Sequence, residues 1–362
     1  MLLQEKVQTA IHDQKENKKM YDTVKIGTEF TFRREEFIFG LKDLAWSPGG
    51  SRKQAKPDET ALGQIRAAGV EIINWVNDIA AAGKSGKFQK GSTTLESVTV
   101  EPGRKKHESS LYEAKKITLT LVCKGKGKFC KETWTVNFDL DPNCIELQAQ
   151  PVTFAFYERH REILNYLFFR RGSCRPDSDW QTGGGGHISL DLATAFGNNL
   201  RWLQNFLVLY ADAVKGENFR YDILRRSGDV GNAPFLHEIG ELPAFCGIVQ
   251  TFDKMPGAPI GELVHVINTE VYTEIDPSID STDVRKEDYP HYQAVNLEHI
   301  NVDVRDHRTP ESEQRVEMRR FDAQCCVEEL LDELRCLFAL LEESRSGKKY
   351  SMDNDGKLVL MA

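Results

Sequence analysis

The chain has 362 residues, 40% hydrophobic and 28% charged, a composition that excludes a disordered or fibrous protein and provides for a sizeable core. A net charge of −8 argues against a dedicated nucleic-acid binder, which normally carries a basic surplus. No apolar run approaches the roughly 18 residues of a membrane span, and the N-terminus turns polar too early for a signal peptide, so the expectation is a cytoplasmic protein with neither membrane nor nucleic-acid partner.

Residues 2–20 read as a polar, peripheral helix. Val24–Arg33 then alternates as a strand should, with Glu29, Thr31 and Arg33 on one face and Phe30 and Phe32 on the other. The Pro- and Gly-rich stretch 41–60 predicts a loop. Ala61–Ala82 has helical spacing through Leu62, Ile65, Ala68, Val70, Ile73, Trp75, Val76 and Ile79, and Gly83 and Gly86 end it.

Ser92–Glu101, Ala114–Lys124 and Phe129–Asp139 are rich in Thr, Val and Leu and predict β-strands. The Lys-Gly-Lys-Gly-Lys run at 124–128 reads as the turn between the last two, in preference to a phosphate site. Cys144–Pro151 is a further strand, with Glu146, Gln148 and Gln150 on one face and Ile145, Leu147 and Ala149 on the other. A helix over Phe154–Phe169 follows it.

Four consecutive glycines at 183–186 match neither a P-loop nor a dinucleotide fingerprint, and predict a flexible loop beside which a ligand would find close approach. His187–Leu192 is the next strand, with His187, Ser189 and Asp191 sharing a face. The apolar pattern of Ala193–Val214 predicts one long core helix. Residues 216–262 read as loop-rich, with Arg220, Arg225 and Arg226 open to a helix-surface or a phosphate-contact reading. Glu262–Ile275 reads as an apolar strand, and 276–290 as a charged loop.

Tyr292–Leu297 leads through Asn296 to the strand Arg315–Asp322, where Arg315, Glu317 and Arg319 form a charged row with steps of about 6.5–7 Å. Val316 and Met318 face the other way. Ala323–Glu343 is an amphipathic helix, and the tail from Ser344 is polar. No linker or repeat interrupts the chain, so 1–362 reads as a single domain with a peripheral helix over 1–20 and a polar tail over 344–362. The eight cysteines form no C-x-x-C pair, which excludes a zinc ribbon and leaves them as reduced packing residues.

Four strands thus repeat one design, with a core face and a polar row, and three of the rows hold Glu29, Glu146 and Glu317 while the fourth holds His187. Carboxylates gathered in one concavity need a cation between them, and hard oxygen ligands suit magnesium or manganese, which commonly arrive with nucleotide phosphates. Arginines such as Arg315 and Arg319 would neutralise phosphate oxygens.

In order, I-G-T-E at 26–29, I-E-L-Q-A-Q-P at 145–151, G-G-H-I-S at 185–189, H-Y-Q-A-V-N-L at 291–297 and R-V-E-M-R-R-F-D at 315–322 resemble the glutamine synthetase-like carboxylate–amine ligases. That superfamily includes glutamate–cysteine ligase and the amidoligases. The resemblance implies an α+β fold, with an antiparallel sheet curved into a half-barrel and helices packed on its outer face. It implies ATP and Mg2+ or Mn2+ on the inner face, and an amide formed through an acyl phosphate. Small-molecule, peptide or protein carboxylates and amines would be the substrates.

Carried over by position, Glu29, Glu146, Glu317 and His187 would be metal ligands, His187 also a nucleotide contact, and Arg315 and Arg319 catalytic phosphate-binding residues. Gln148, His291 and Asn296 would reach substrate. The chain departs from the family where a second acid is replaced by Thr31 and where an H-x-H pair is replaced by His187-x-Ser189. Each departure removes a ligand or substrate contact. Two alternatives therefore stand beside the ligase: a phosphotransferase of guanidino-kinase type, and a catalytically degenerate binding or scaffold protein on the same fold.

Overall fold

A computed structural model describes residues 18–32, 37–46, 56–107, 109–125, 128–171, 185–215, 242–255, 257–268, 294–301 and 309–361. Contacts divide the chain into two compact units, Gly27–Gly186 with Asp322–Leu331, and Met1–Ile26 with His187–Phe321 and Asp332–Ala362. His291, Arg33 and the arginines at 220, 225 and 226 lie outside the described residues.

In chain order, α1 (Lys18–Thr23) precedes β1 (Lys25–Phe32), in which Ile26, Thr28, Phe30 and Phe32 are buried on one face as the alternation requires. A single turn, α2 (Leu41–Leu44), replaces the start of the expected loop; the Gly40 N–H donates to Asp43 Oδ2 at 2.8 Å, and this local bond closes the turn. Asp58 caps α3 (Glu59–Lys84) by accepting the Ala61 N–H at 2.7 Å. The buried stripe of α3 passes through Leu62, Ile65, Ile72, Trp75, Val76 and Ile79. Val70 and Ile73, expected in the core, are exposed, because 100° per residue carries them off the stripe.

β2 (Phe88–Lys90), β3 (Thr93–Pro102), β4 (Lys115–Gly125), β5 (Lys128–Asp141) and β6 (Cys144–Thr153) pair antiparallel in succession, and β1 lies beside β6. Gly125 pairs with Lys128, and residues 126 and 127, on which the expected turn falls, lie outside the described residues. β6 continues to Thr153, past the Pro151 that was expected to close it. Thr153 then caps α4 (Phe154–Phe168), its Oγ1 accepting the Phe156 N–H at 3.3 Å.

The core of this unit is aromatic. Trp75 of α3 sits edge-on to Phe32 of β1 at 4.8 Å and to Phe138 of β5 at 5.3 Å. Trp134 of β5 meets Phe168 of α4 at 5.6 Å. Each such pair contributes about 0.5–1.5 kcal/mol beyond its burial.

The remaining elements are β7 (Gly185–Asp191), α5 (Leu192–Phe196), α6 (Leu200–Lys215), α7 (Leu242–Phe252), α8 (Ile260–Val266), β8 (Val295–Asn296), β9 (Arg315–Asp322), α9 (Val327–Ser344), β10 (Lys349–Met352) and β11 (Leu358–Met361). β7, β9 and β8 are neighbours in that order, with β8 antiparallel to β9. The single helix expected over 193–214 is broken into α5 and α6 by Gly197 and Asn198, whose φ angles of 57° and 53° are left-handed and terminate a right-handed helix.

The strand expected from Glu262 is instead helix α8, because Leu263, Val264 and Ile267 are buried at helical spacing after Pro259 fixes the entry. Part of the expected loop 216–262 is helix α7. The polar tail forms the β10–β11 hairpin, tied to α6 where the Tyr350 N–H donates to Asn205 Oδ1 at 3.0 Å and Asn205 Nδ2 donates to the Ser344 and Lys348 carbonyls at 2.9 Å each. No helix among the described residues is long and apolar enough to cross a membrane.

Candidate functional site

In the first unit the polar rows of β5 and β6 face each other residue by residue. Asn137 pairs with Gln148, and Asp139 with Glu146, so all four side chains share a face. Two carboxylates directly opposite repel, and the arrangement persists because each is separately compensated. Asp139 is wholly buried and accepts the Lys106 N–H at 2.5 Å, the Leu140 N–H at 2.9 Å and the Tyr112 hydroxyl at 2.7 Å. Burial first, and then the Asp139 carboxylate, raise the Tyr112 pKa.

Glu146 accepts the Gln148 amide at 2.9 Å and the Lys106 ammonium at 2.7 and 2.8 Å, one contact to each oxygen. The same ammonium lies 4.0 Å from Glu29 on the neighbouring β1.

Lys106 arrives on the loop between β3 and β4, and that loop is strapped down. Asn137 Oδ1 accepts the Arg104 N–H at 2.9 Å, and Asn137 Nδ2 donates to the Arg104 carbonyl at 2.9 Å. A side chain at Gly103 would meet Asn137 Oδ1 and the Lys115 nitrogen at 2.6 Å, so only glycine lets the loop lie this close. The Lys106 side chain is 35% exposed, whereas that of Glu146 is 2%. The lysine therefore covers the acid from the solvent side.

Carboxylate outweighs ammonium here. Burial, the nearby Glu29 and Asp141 push the Glu146 pKa well up, against Lys106. Burial works against the Lys106 charge, yet Glu29, Glu146 and Asp141 overcome it and raise the lysine pKa too. At Glu146 burial leads the rise and the neighbouring carboxylates add to it, whereas at Lys106 the carboxylates produce the rise against burial.

In the second unit β9 carries the row Arg315, Glu317, Arg319. Glu317 is buried and lies directly opposite Asn296 in the β8–β9 register. Asn296 Nδ2 donates to Glu317 Oε2 at 3.2 Å, while Asn296 Oδ1 accepts the Glu298 N–H at 2.9 Å. His299 Nε2 is 3.4 Å from Glu317 Oε2, and His187 Nδ1 of β7 is 3.3 Å from Oε1. Arg319 Nη1 donates to Oε1 at 3.1 Å, and Arg315 Nη2 lies 3.0 Å from His299 Nε2. Burial raises the Glu317 pKa, but His299, His187, Arg319 and Arg315 together hold it well below the usual carboxylate range. It is an ionised acid with cationic and imidazole neighbours.

The predicted residues thus fall into two sets, Glu29, Glu146 and Gln148 in one unit and His187, Asn296, Arg315, Glu317 and Arg319 in the other. Asn296 is wholly buried and positions Glu317. The sequence reading missed Lys106 and His299. For Lys106 the only signal was the basic run Arg104–His107, and His299 carried none.

The chemistry of each set tests whether a divalent ion fits. His187 Nδ1 and Glu317 Oε1 stand 3.3 Å apart, close to the roughly 3 Å between adjacent ligands of an ion bound at about 2.1 Å. That pair fits. At Glu146 an ammonium already occupies the place where an ion would be held. A scan against protein-family models matches none, and a search of curated proteins finds no relative.

Proposed function

We infer that the chain is an ATP-dependent carboxylate–amine ligase on a half-barrel sheet, and the observation that carries this reading is the buried, ionised Glu317 with His187 at 3.3 Å and Arg319 at 3.1 Å. An imidazole, a carboxylate and a guanidinium on adjacent strands offer one ligand pair for Mg2+ and one planar donor for phosphate oxygen. In the reaction, a substrate carboxylate oxygen attacks the γ-phosphorus of ATP and ADP departs with the bridging oxygen's electrons. An amine nitrogen then attacks the acyl carbon, phosphate leaves, and the nitrogen loses a proton to give the amide.

In this reading Glu317 and His187 hold the ion that screens the phosphates, and Arg319 and Arg315 neutralise charge on the group in transfer. Glu29 and Glu146 form an acidic pair within their own unit, with Gln148 beside Glu146 for a polar substrate group. Lys106 supports a second reading, a nucleotide- or acid-binding protein without turnover, since it occupies carboxylates that the ligases use for metal.

Mg-ATP should raise the melting temperature, because a ligand that binds only the folded chain stabilises it by about 2.7 kcal/mol at a hundredfold excess over Kd. Glu317→Gln should lose that shift. Arg319→Lys should keep ATP binding but lose about 10²–10³ in turnover, since Lys keeps the charge and loses the fork of donors. Absence of any shift at millimolar Mg-ATP sinks the ligase reading, and a shift with no acid- and amine-dependent phosphate release leaves the second.

A further inference from the structure

We propose that Lys106 is a tethered cation that permanently fills the position a divalent ion would take between Glu146 and Glu29. The inference rests on the acidic face of the ligase reading but concerns the lysine alone. Three observations carry it. The ammonium touches both oxygens of the buried Glu146 and reaches Glu29 at 4.0 Å, the bridging position for an ion shared by two carboxylates.

The backbone that delivers it is fixed from below. The Lys106 N–H is held by the buried Asp139, which the Tyr112 hydroxyl secures in turn, and both backbone groups of Arg104 are bonded to Asn137. Gly103 has no room for a side chain, since a Cβ there would stand 2.6 Å from Asn137 Oδ1 and from the Lys115 nitrogen. A side chain that merely rested on a solvated acid would need none of this.

The consequence concerns metal stoichiometry. An ammonium supplies a single charge and cannot polarise a phosphoryl oxygen as a divalent ion does. The space between Glu146 and Glu29 is therefore filled by the lysine's charge, and any divalent ion this chain uses is held outside that space.

The test is Mn2+ alone, without nucleotide, titrated into the purified full chain by calorimetry and by the free-ion paramagnetic resonance signal. Lys106→Gln should bind one more equivalent of Mn2+ than wild type, Lys106→Arg should match wild type, and adding Glu146→Gln to Lys106→Gln should remove the gain. A folded Lys106→Gln with wild-type stoichiometry overturns the proposal.

Should Lys106→Gln fail to fold, amine methylation of the native chain read by mass spectrometry decides. Lys106 should be protected in wild type, remain protected in millimolar Mn2+, and become reactive in Glu146→Gln. Exposure of Lys106 by Mn2+ in wild type, or equal reactivity in both proteins, overturns it. Because no nucleotide is present, a chain that gains Mn2+ in Lys106→Gln yet ignores Mg-ATP refutes the ligase reading and leaves this inference standing.

Discussion

Glu132 of β5 shows how one carboxyl fixes a pH dependence. His160 of α4, wholly buried, places Nε2 2.8 Å from Glu132 Oε2 and Nδ1 3.0 Å from the Thr93 hydroxyl, while Arg159 Nη1 donates to the same Oε2 at 2.6 Å. The bond to His160 leads in pulling the Glu132 pKa down to about 2, burial opposes it, and Arg159 adds to the fall. A depressed acid contributes stability that is complete above its unfolded pKa of about 4.3 and is lost as pH falls towards about 2. Wild type should therefore lose roughly 1–3 kcal/mol more than Glu132→Gln between pH 5 and pH 2, after discounting for partial exposure. Urea midpoints across that range provide the measurement, and parallel curves for the two proteins contradict the assignment. Asn296 makes a second case. Asn296→Ala should cost about 1–3 kcal/mol by leaving a buried Glu317 oxygen short of a donor, and Asn296→Asp more, since it sets two acids face to face. Equal urea midpoints for the two variants would mean that Asn296 does not orient Glu317.

Among the elements, α3 contains its own controlled comparison. Nothing lies within 4 Å of a methyl added at Gly63, so Gly63→Ala should stabilise the chain by about 0.5–1 kcal/mol through helix propensity alone. A methyl at Gly69 would instead stand 2.8 Å from Tyr112 Cβ, and Gly69→Ala should destabilise by about 1–3 kcal/mol despite the same propensity gain. Thermal unfolding of both variants checks this; a stabilised Gly69→Ala would show that Tyr112 moves freely, and the strap over Asp139 with it. The periodic elements were legible for the same physical reason that they are regular. Alternation alone put Glu29, Glu146 and Glu317 on polar faces opposite Phe30, Leu147 and Met318, and α3, α4 and α9 followed from apolar spacing. Lys106 and His299 were not legible, because loop residues obey no period and their partners are set by pairings tens of residues away. Misreadings cluster where composition contradicts local geometry. α8 is rich in β-branched residues yet helical, and Gly197 with Asn198 broke a helix whose hydrophobic pattern runs on.

At the scale of the whole molecule, neither compact unit is a contiguous piece of chain, and this constrains how the protein is divided. A cut after Gly186 yields 1–186 and 187–362. The second fragment keeps α5–α9 but loses Met20, Val24 and Ile26, all buried, together with the Tyr21 ring stacked on Phe338 at 5.3 Å and the Lys25 N–H donated to Thr194 at 3.0 Å. Leaving three such apolar side chains out of a core costs about 1.5–3 kcal/mol each, a sum comparable with the roughly 5–15 kcal/mol that holds a domain folded. The first fragment loses Ala323, buried beside Cys144, and the Val327 N–H that Asn165 Oδ1 accepts at 2.7 Å. It also loses Glu328, whose carboxylate takes the Asn165 amide at 2.7 Å. Neither fragment alone should give a cooperative melt or the near-ultraviolet dichroism of a packed Trp75, Trp134 or Trp202, and mixing the two should restore both signals. A cooperative transition from isolated 187–362 would show that its helices hold together without Lys18–Ile26, and that the buried Val24 and Ile26 contribute far less than their burial implies.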